Sequence, residues 1–127
     1  MSVFTMRWIA RSFVRSRPEV LFVFGDNMAM TGYGGQAKEL RGEPNTVGIP
    51  TKWKPSRDSS AFFLDTDLPD VQPRIDEGFA RLEAHLRAGG LVVWPEDGIG
   101  TGRACLKTCA PVIWDYIQAR KKQLQQL

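Results

Sequence analysis

Long hydrophobic runs are missing from this sequence. No apolar stretch approaches the roughly 20 residues that a bilayer-spanning helix needs, and no secretory leader precedes the first predicted strand. A cytoplasmic protein without membrane contact is therefore expected. Cysteine is scarce: Cys105 and Cys109 stand four apart. One pair makes no disulfide framework, and the two further ligands of a zinc site are absent, so a reduced thiol pair and no metal are expected. Histidine occurs once, as His85, beside the apolar stripe of a predicted helix. It reads as a surface residue rather than a base. The chain has no internal repeat, linker or low-complexity segment, and no G-x-G-x-x-G motif, which argues against an ordinary dinucleotide-binding fold.

What remains is ordinary in bulk. The chain has 127 residues, 43% hydrophobic and 24% charged, enough for one domain with one core. Net charge is +3 and the sequence pI is near 9.1, compatible with a phosphate-bearing ligand without demanding one. Basic residues crowd both ends: Arg7, Arg11, Arg15 and Arg17, then Arg120, Lys121 and Lys122. Such clusters are more often solvated faces than binding sites.

The periodicity alternates between strand and helix. Phe4–Ile9 reads as an outer strand, with Phe4, Met6 and Trp8 on its more buried face, and Ala10–Arg17 as a short helix stopped by Pro18. Val20–Phe24 and Leu91–Trp94 are apolar throughout, as strands buried on both faces are. Thr46–Ile49 is a third short strand, and Gln36–Arg41 a helix ended by Gly42. Thr51–Ser60 is polar and irregular around Trp53, read as a loop anchor, and Ala61–Leu64 is strand or lid. Ile75, Phe79, Leu82 and Leu86 stripe a helix over Pro73–Ala88, with Pro73 in its first turn. A closing helix begins at Pro111, capped by Thr108, burying Val112, Ile113, Tyr116 and Ile117 before a fraying tail, Lys121–Leu127. This alternation predicts an α/β fold of three layers, α/β/α, with a mixed, largely parallel sheet.

Two of the strands end in glycine-rich loops. After Val20–Phe24 come Gly25-Asp26-Asn27, a short tether and Gly32-Tyr33-Gly34-Gly35-Gln36; after Leu91–Trp94 comes Asp97-Gly98-Ile99-Gly100-Thr101-Gly102. Backbone amides approach a phosphate closely only where no Cβ intervenes, and open α/β sheets bind ligands at this edge. One such loop reads equally well as a tight turn. Two at one sheet edge point to a ligand.

The segments GDN…GYGGQA, NTVGIPTK and VVWPEDGIGTG resemble a compact macrodomain, the ADP-ribose-binding fold, over about Val20 to Ile117. The likeness is to the branch holding the antitoxins of DNA-ADP-ribosylating toxin–antitoxin pairs and the terminal ADP-ribose glycohydrolases. It implies that Lys52, which follows Pro50-Thr51, is the catalytic residue. It also implies that Asn27 with Gly32–Gln36 wraps the distal ribose, and that Gly98–Gly102 holds the diphosphate, with Thr51 beside the site. That branch often has an acidic residue just after the second loop, where this sequence has Arg103 and Ala104. Asp26, Asp97 or Glu96 are the available substitutes.

Three functions follow as alternatives. The first is a hydrolase releasing ADP-ribose from a modified nucleic acid or protein, with Lys52, Asp26 and Asp97 as its catalytic candidates. The second is a non-catalytic binder of ADP-ribose or a related nucleotide, and the third a Rossmann-like protein that shares only the loops. A monomer without cofactor is expected in each.

Overall fold

In the computed structural model, which describes residues 2–127, the chain runs β1 (Val3–Met6), α1 (Arg11–Ser16), β2 (Val20–Asn27), α2 (Ala37–Leu40), β3 (Thr46–Lys52), α3 (Leu68–Arg87), β4 (Leu91–Pro95), α4 (Leu106–Cys109) and α5 (Pro111–Gln125). Short 3-10 turns lie at Ser59–Ala61 and Asp65–Asp67. The four strands form one sheet in the order β1-β4-β2-β3, and all of its pairings are parallel. An isolated antiparallel bridge joins Lys52 to Phe62 outside it. Among the described residues no helix is long and apolar enough to cross a membrane.

The two uninterrupted apolar strands, β2 and β4, are the inner pair. Successive side chains of a strand point to opposite faces, and that splits the core in two. Leu21, Val23, Val47, Ile49, Val92 and Trp94 face α3 and α5, where Ile75, Phe79, Leu82, Ile113 and Ile117 cover them. Val20, Phe22, Phe24 and Val93 face the other way, onto Val14 of α1 with Ala37 and Leu40 of α2. Each large side chain so buried contributes roughly 1.5–3 kcal/mol relative to exposure. The fold is α/β in three layers, thick on the α3/α5 side and thin on the other.

Gly78 shows how closely α3 lies on the sheet. A Cβ there would overlap Ile49 Cδ1 and sit 3.5 Å from Val47 Cγ1. Gly78→Ala is expected to lose about 1 kcal/mol net, since overpacking by about 1–3 kcal/mol outweighs a helix-propensity gain of about 1 kcal/mol. The companion change Ile49→Val removes the obstructing methyl. Urea midpoints of the single and double variants check this: the double should recover part of the loss from Gly78→Ala, and additive losses would refute the packing account.

Several element ends differ from the sequence reading. α3 begins at Leu68, so Pro69, rather than Pro73, occupies its first turn and Pro73 lies inside the helix. The helix accepts Pro73 at the loss of one backbone hydrogen bond. β1 ends at Met6, and Phe4 and Trp8 are exposed rather than buried, because no helix reaches that side of the edge strand. At α5 the preceding residue is Ala110, not a Thr108 cap, and Val112 is exposed. The predicted frayed tail is helical to Gln125, held by buried Leu124. The basic N-terminal cluster is partly structural: Arg11 and Arg15 both pair with Glu43, fastening α1 to the turn after α2.

Candidate ligand-binding cleft

Parallel strands deliver all their carboxyl ends to one edge, and here each delivers cleft residues. β1 leads to Arg7 and Trp8, β2 ends in Asp26 and Asn27, β3 in Thr51 and Lys52, and β4 leads to Asp97. The chain leaves β2 toward α2 on the thin side and leaves β4 toward α4 and α5 on the thick side. Adjacent strands whose connections part this way leave a crevice between them. The crevice is a cleft of about 750 Å³.

Apart from Glu96, the candidate ligand-binding and catalytic residues line this one cleft: Asp26 and Asn27 from the end of β2, Gly32, Tyr33, Gly34, Gly35 and Gln36 from the first loop, Thr51 and Lys52 from β3, and Asp97, Gly98, Ile99, Gly100, Thr101 and Gly102 from the second loop. The loops meet where β2 passes beneath the second one. A Cβ on Gly25 would stand 3.4 Å from the Gly100 amide and 3.4 Å from Ile99 Cβ. Among the described residues, the amides of Gly32 to Gln36 and of Ile99 to Ala104 donate to no acceptor in the chain.

Several side chains proposed as ligand contacts are already engaged. Asp26 is buried and ion-paired with Arg41, Oδ1 to Nη2 at 2.5 Å, and Oδ1 also accepts from the Asn27 amide at 2.7 Å. It is therefore not a free proton carrier. Asn27 Nδ2 donates to the Thr31 carbonyl at 2.8 Å, closing the tether on itself. Gln36 clamps Ile9, accepting from its amide at 2.7 Å and donating to its carbonyl at 2.9 Å. Thr51 Oγ1 donates to the Asp26 carbonyl at 3.1 Å. Their part in the cleft is to fix the backbone of its walls.

Arg41 was not singled out from sequence. Its Nε donates to the Gly32 carbonyl at 2.6 Å and its Nη2 to the Thr31 carbonyl at 3.1 Å, so one guanidinium holds the first glycine loop to β2. The only signal for it was an arginine at the end of a predicted helix, fifteen residues from its acid.

Lys52 is half-buried, its Nζ donating to the Ser56 carbonyl at 2.9 Å and lying 5.1 Å from the centre of the Phe62 ring. Burial lowers its pKa from the ordinary lysine value, and the charges of Arg103 and Arg57 lower it further, against a smaller opposing effect of Cys105. Trp53 packs edge-on against Phe63 and donates its Nε1 to Asp67 at 3.2 Å, which is the anchoring role expected of it. Lys52, Arg57 and Arg103 carry no ion pair among the described residues. Asp97 is the unpaired carboxylate in the lining, while Glu96, which is not part of the lining, pairs with Arg7 at its edge.

No group of three or more acidic, cysteine or histidine side chains that could hold a metal occurs among the described residues. Both cysteines are free thiols, Cys105 exposed and Cys109 half-buried. His85 packs its ring over Gly90 at the end of α3, away from the cleft. No curated protein and no solved structure matches the chain. The chain belongs to a family of unknown function, DUF7831, whose model matches residues 4–120.

Proposed function

We propose that the chain is a macrodomain-like protein that binds ADP-ribose across the carboxyl edge of its sheet. One observation carries this reading: two facing glycine loops present runs of amides without internal acceptors, in a cleft lined by more cations than carboxylates. Amides so arranged suit a diphosphate. Four strands span about 14 Å from β1 to β3, enough for an extended nucleotide sugar. Trp8, over half exposed at the β1 end, offers a face to the purine; the diphosphate lies over Ile99–Ala104, and the distal ribose between the first loop and Lys52. Calorimetric titration with ADP-ribose, AMP and ribose 5-phosphate is the test. ADP-ribose should bind more tightly than either fragment, and absence of heat with all three would remove the proposal.

A hydrolytic role at the same site is favoured by one observation, the lowered pKa of Lys52. A protonated amine cannot attack, and each step down in pKa raises the neutral fraction at a given pH. In this reading the Lys52 amine adds to the anomeric carbon of the distal ribose, the acceptor departs with a proton, and water then releases the sugar from the amine. Asp97 is the carboxylate available to carry protons, since Asp26 is held by Arg41. Lys52→Ala is expected to abolish release of ADP-ribose from modified nucleic acid or modified glutamate while leaving ADP-ribose binding intact. Turnover by the wild type should rise with pH until Lys52 is neutral. Arg103→Gln removes a charge that lowers the Lys52 pKa, so its profile should shift to higher pH. An unshifted profile excludes the neutral amine, and a wild type without turnover leaves a binding module.

A further inference from the structure

The thin helical layer covers only part of its sheet face. α1 and α2 reach Phe22, Phe24 and Val20, and Phe13 of α1 closes edge-on against Phe22 with ring centres 5.8 Å apart. Beyond Phe13 the β1–β4 half of the face has no helix over it. Phe4, Leu91 and Phe13 are 48%, 41% and 36% exposed, around an apolar groove of about 300 Å³ floored by Val20 and Val93. Together these three side chains leave a strip of apolar surface that nothing among the described residues covers.

We infer that this groove is where a second copy of the chain docks, through a two-fold interface. The rim carries one arginine and one carboxylate, Arg17 and Glu19, and neither makes an ion pair among the described residues. Arg17 instead lies with its guanidinium 5.6 Å from the Phe13 ring centre. A strongly acidic or basic partner finds no net charge to meet here. The groove's own image does: a two-fold axis sets each Arg17 against Glu19 of the other copy, so both charges are answered twice by one operation. Phe4, Phe13 and Leu91 then bury against their counterparts in place of the missing helix. The groove lies at the amino ends of β2 and β4, where Val20 and Leu91 begin, whereas the ligand cleft lies at the carboxyl ends. Docking therefore leaves the cleft open, and the inference stands apart from the ADP-ribose reading.

Sedimentation equilibrium of the full chain over a wide concentration range tests this. The wild type should dimerise, and Leu91→Glu should be monomeric with an unchanged circular dichroism spectrum. Arg17→Glu and Glu19→Arg should each weaken the dimer by about tenfold or more, because each sets like charges against each other across the axis. The double variant Arg17→Glu/Glu19→Arg should restore it. A wild type that stays monomeric overturns the inference. So does a dimer indifferent to Leu91→Glu, or one that the double exchange fails to rescue. Because Arg17 and Glu19 are exposed, the charge variants remain informative even if Leu91→Glu does not fold.

Discussion

Gly100→Val is expected to abolish ADP-ribose binding and to lower the stability of the fold. Gly100 has a φ of 73°, and a Cβ on it would come within 2.9 Å of Leu106 Cβ and 3.3 Å of Thr51 Cγ2. The left-handed backbone costs a side chain roughly 1–2 kcal/mol, more for a β-branched one, and forced overpacking adds about 1–3 kcal/mol. The loop escapes that strain only by moving, and its amides then no longer converge on one anion. A loss of about 3 kcal/mol in binding corresponds to a little over a hundredfold in affinity. Gly34→Ala is the matched control for stability, since a Cβ at Gly34 meets nothing within 4 Å. Its thermal midpoint should stay near that of the wild type while that of Gly100→Val falls. If Gly100→Val melts as the wild type does and binds ADP-ribose equally, the diphosphate is held elsewhere.

Arg41→Ala is expected to destabilise the protein by about 3–5 kcal/mol, the usual cost of removing one partner from a buried ion pair. The side chains of Arg41 and Asp26 are 14% and 5% exposed, so the remaining, largely buried carboxylate loses its cation and keeps only the Asn27 amide as a donor. The carbonyls of Thr31 and Gly32 lose their donor in the same step. Asp26→Asn, which retains shape and some hydrogen bonding, should cost less than Arg41→Ala. Urea denaturation separates the two. Equal and small losses would mean that the first loop is held by something other than this pair, and would return Asp26 to the list of free carboxylates.

How much of this was legible depended on how local each signal is. β2 and β4 are readable as the central pair because inner strands of a parallel sheet run apolar, which Val20–Phe24 and Leu91–Trp94 display without reference to the rest of the chain, although Leu91 proves exposed where the thin helical layer stops short. The stripe of α3 was equally plain, although its start was not. Pro69 and Pro73 each fit a first turn, and only the packing of Val71 on the core decides for the earlier one. The gathering of glycine loops at one edge followed from parallel pairing. The jobs of individual polar side chains did not. Asn27, Gln36 and Asp26 were read as facing a ligand, yet their partners are Thr31, Ile9 and Arg41, brought near by the path of the loop rather than by spacing. Phe4 and Trp8 have a strand's alternation, but which face a helix covers depends on where that helix ends.

The strand order has a consequence for the chain as it is made. β2 and β3 are consecutive and can pair as soon as both have left the ribosome. Among the described strands β1 pairs only with β4, with Val3 meeting Val92, so the earliest strand of this domain is the last that can be placed. Throughout that interval Val3 lacks the strand it pairs with, whereas Ile9 already has Val14, Phe22, Phe24 and Leu40 to pack on. The strand Val3–Met6 is then unpaired in the nascent chain, open to chaperones or to misassociation until β4 has emerged.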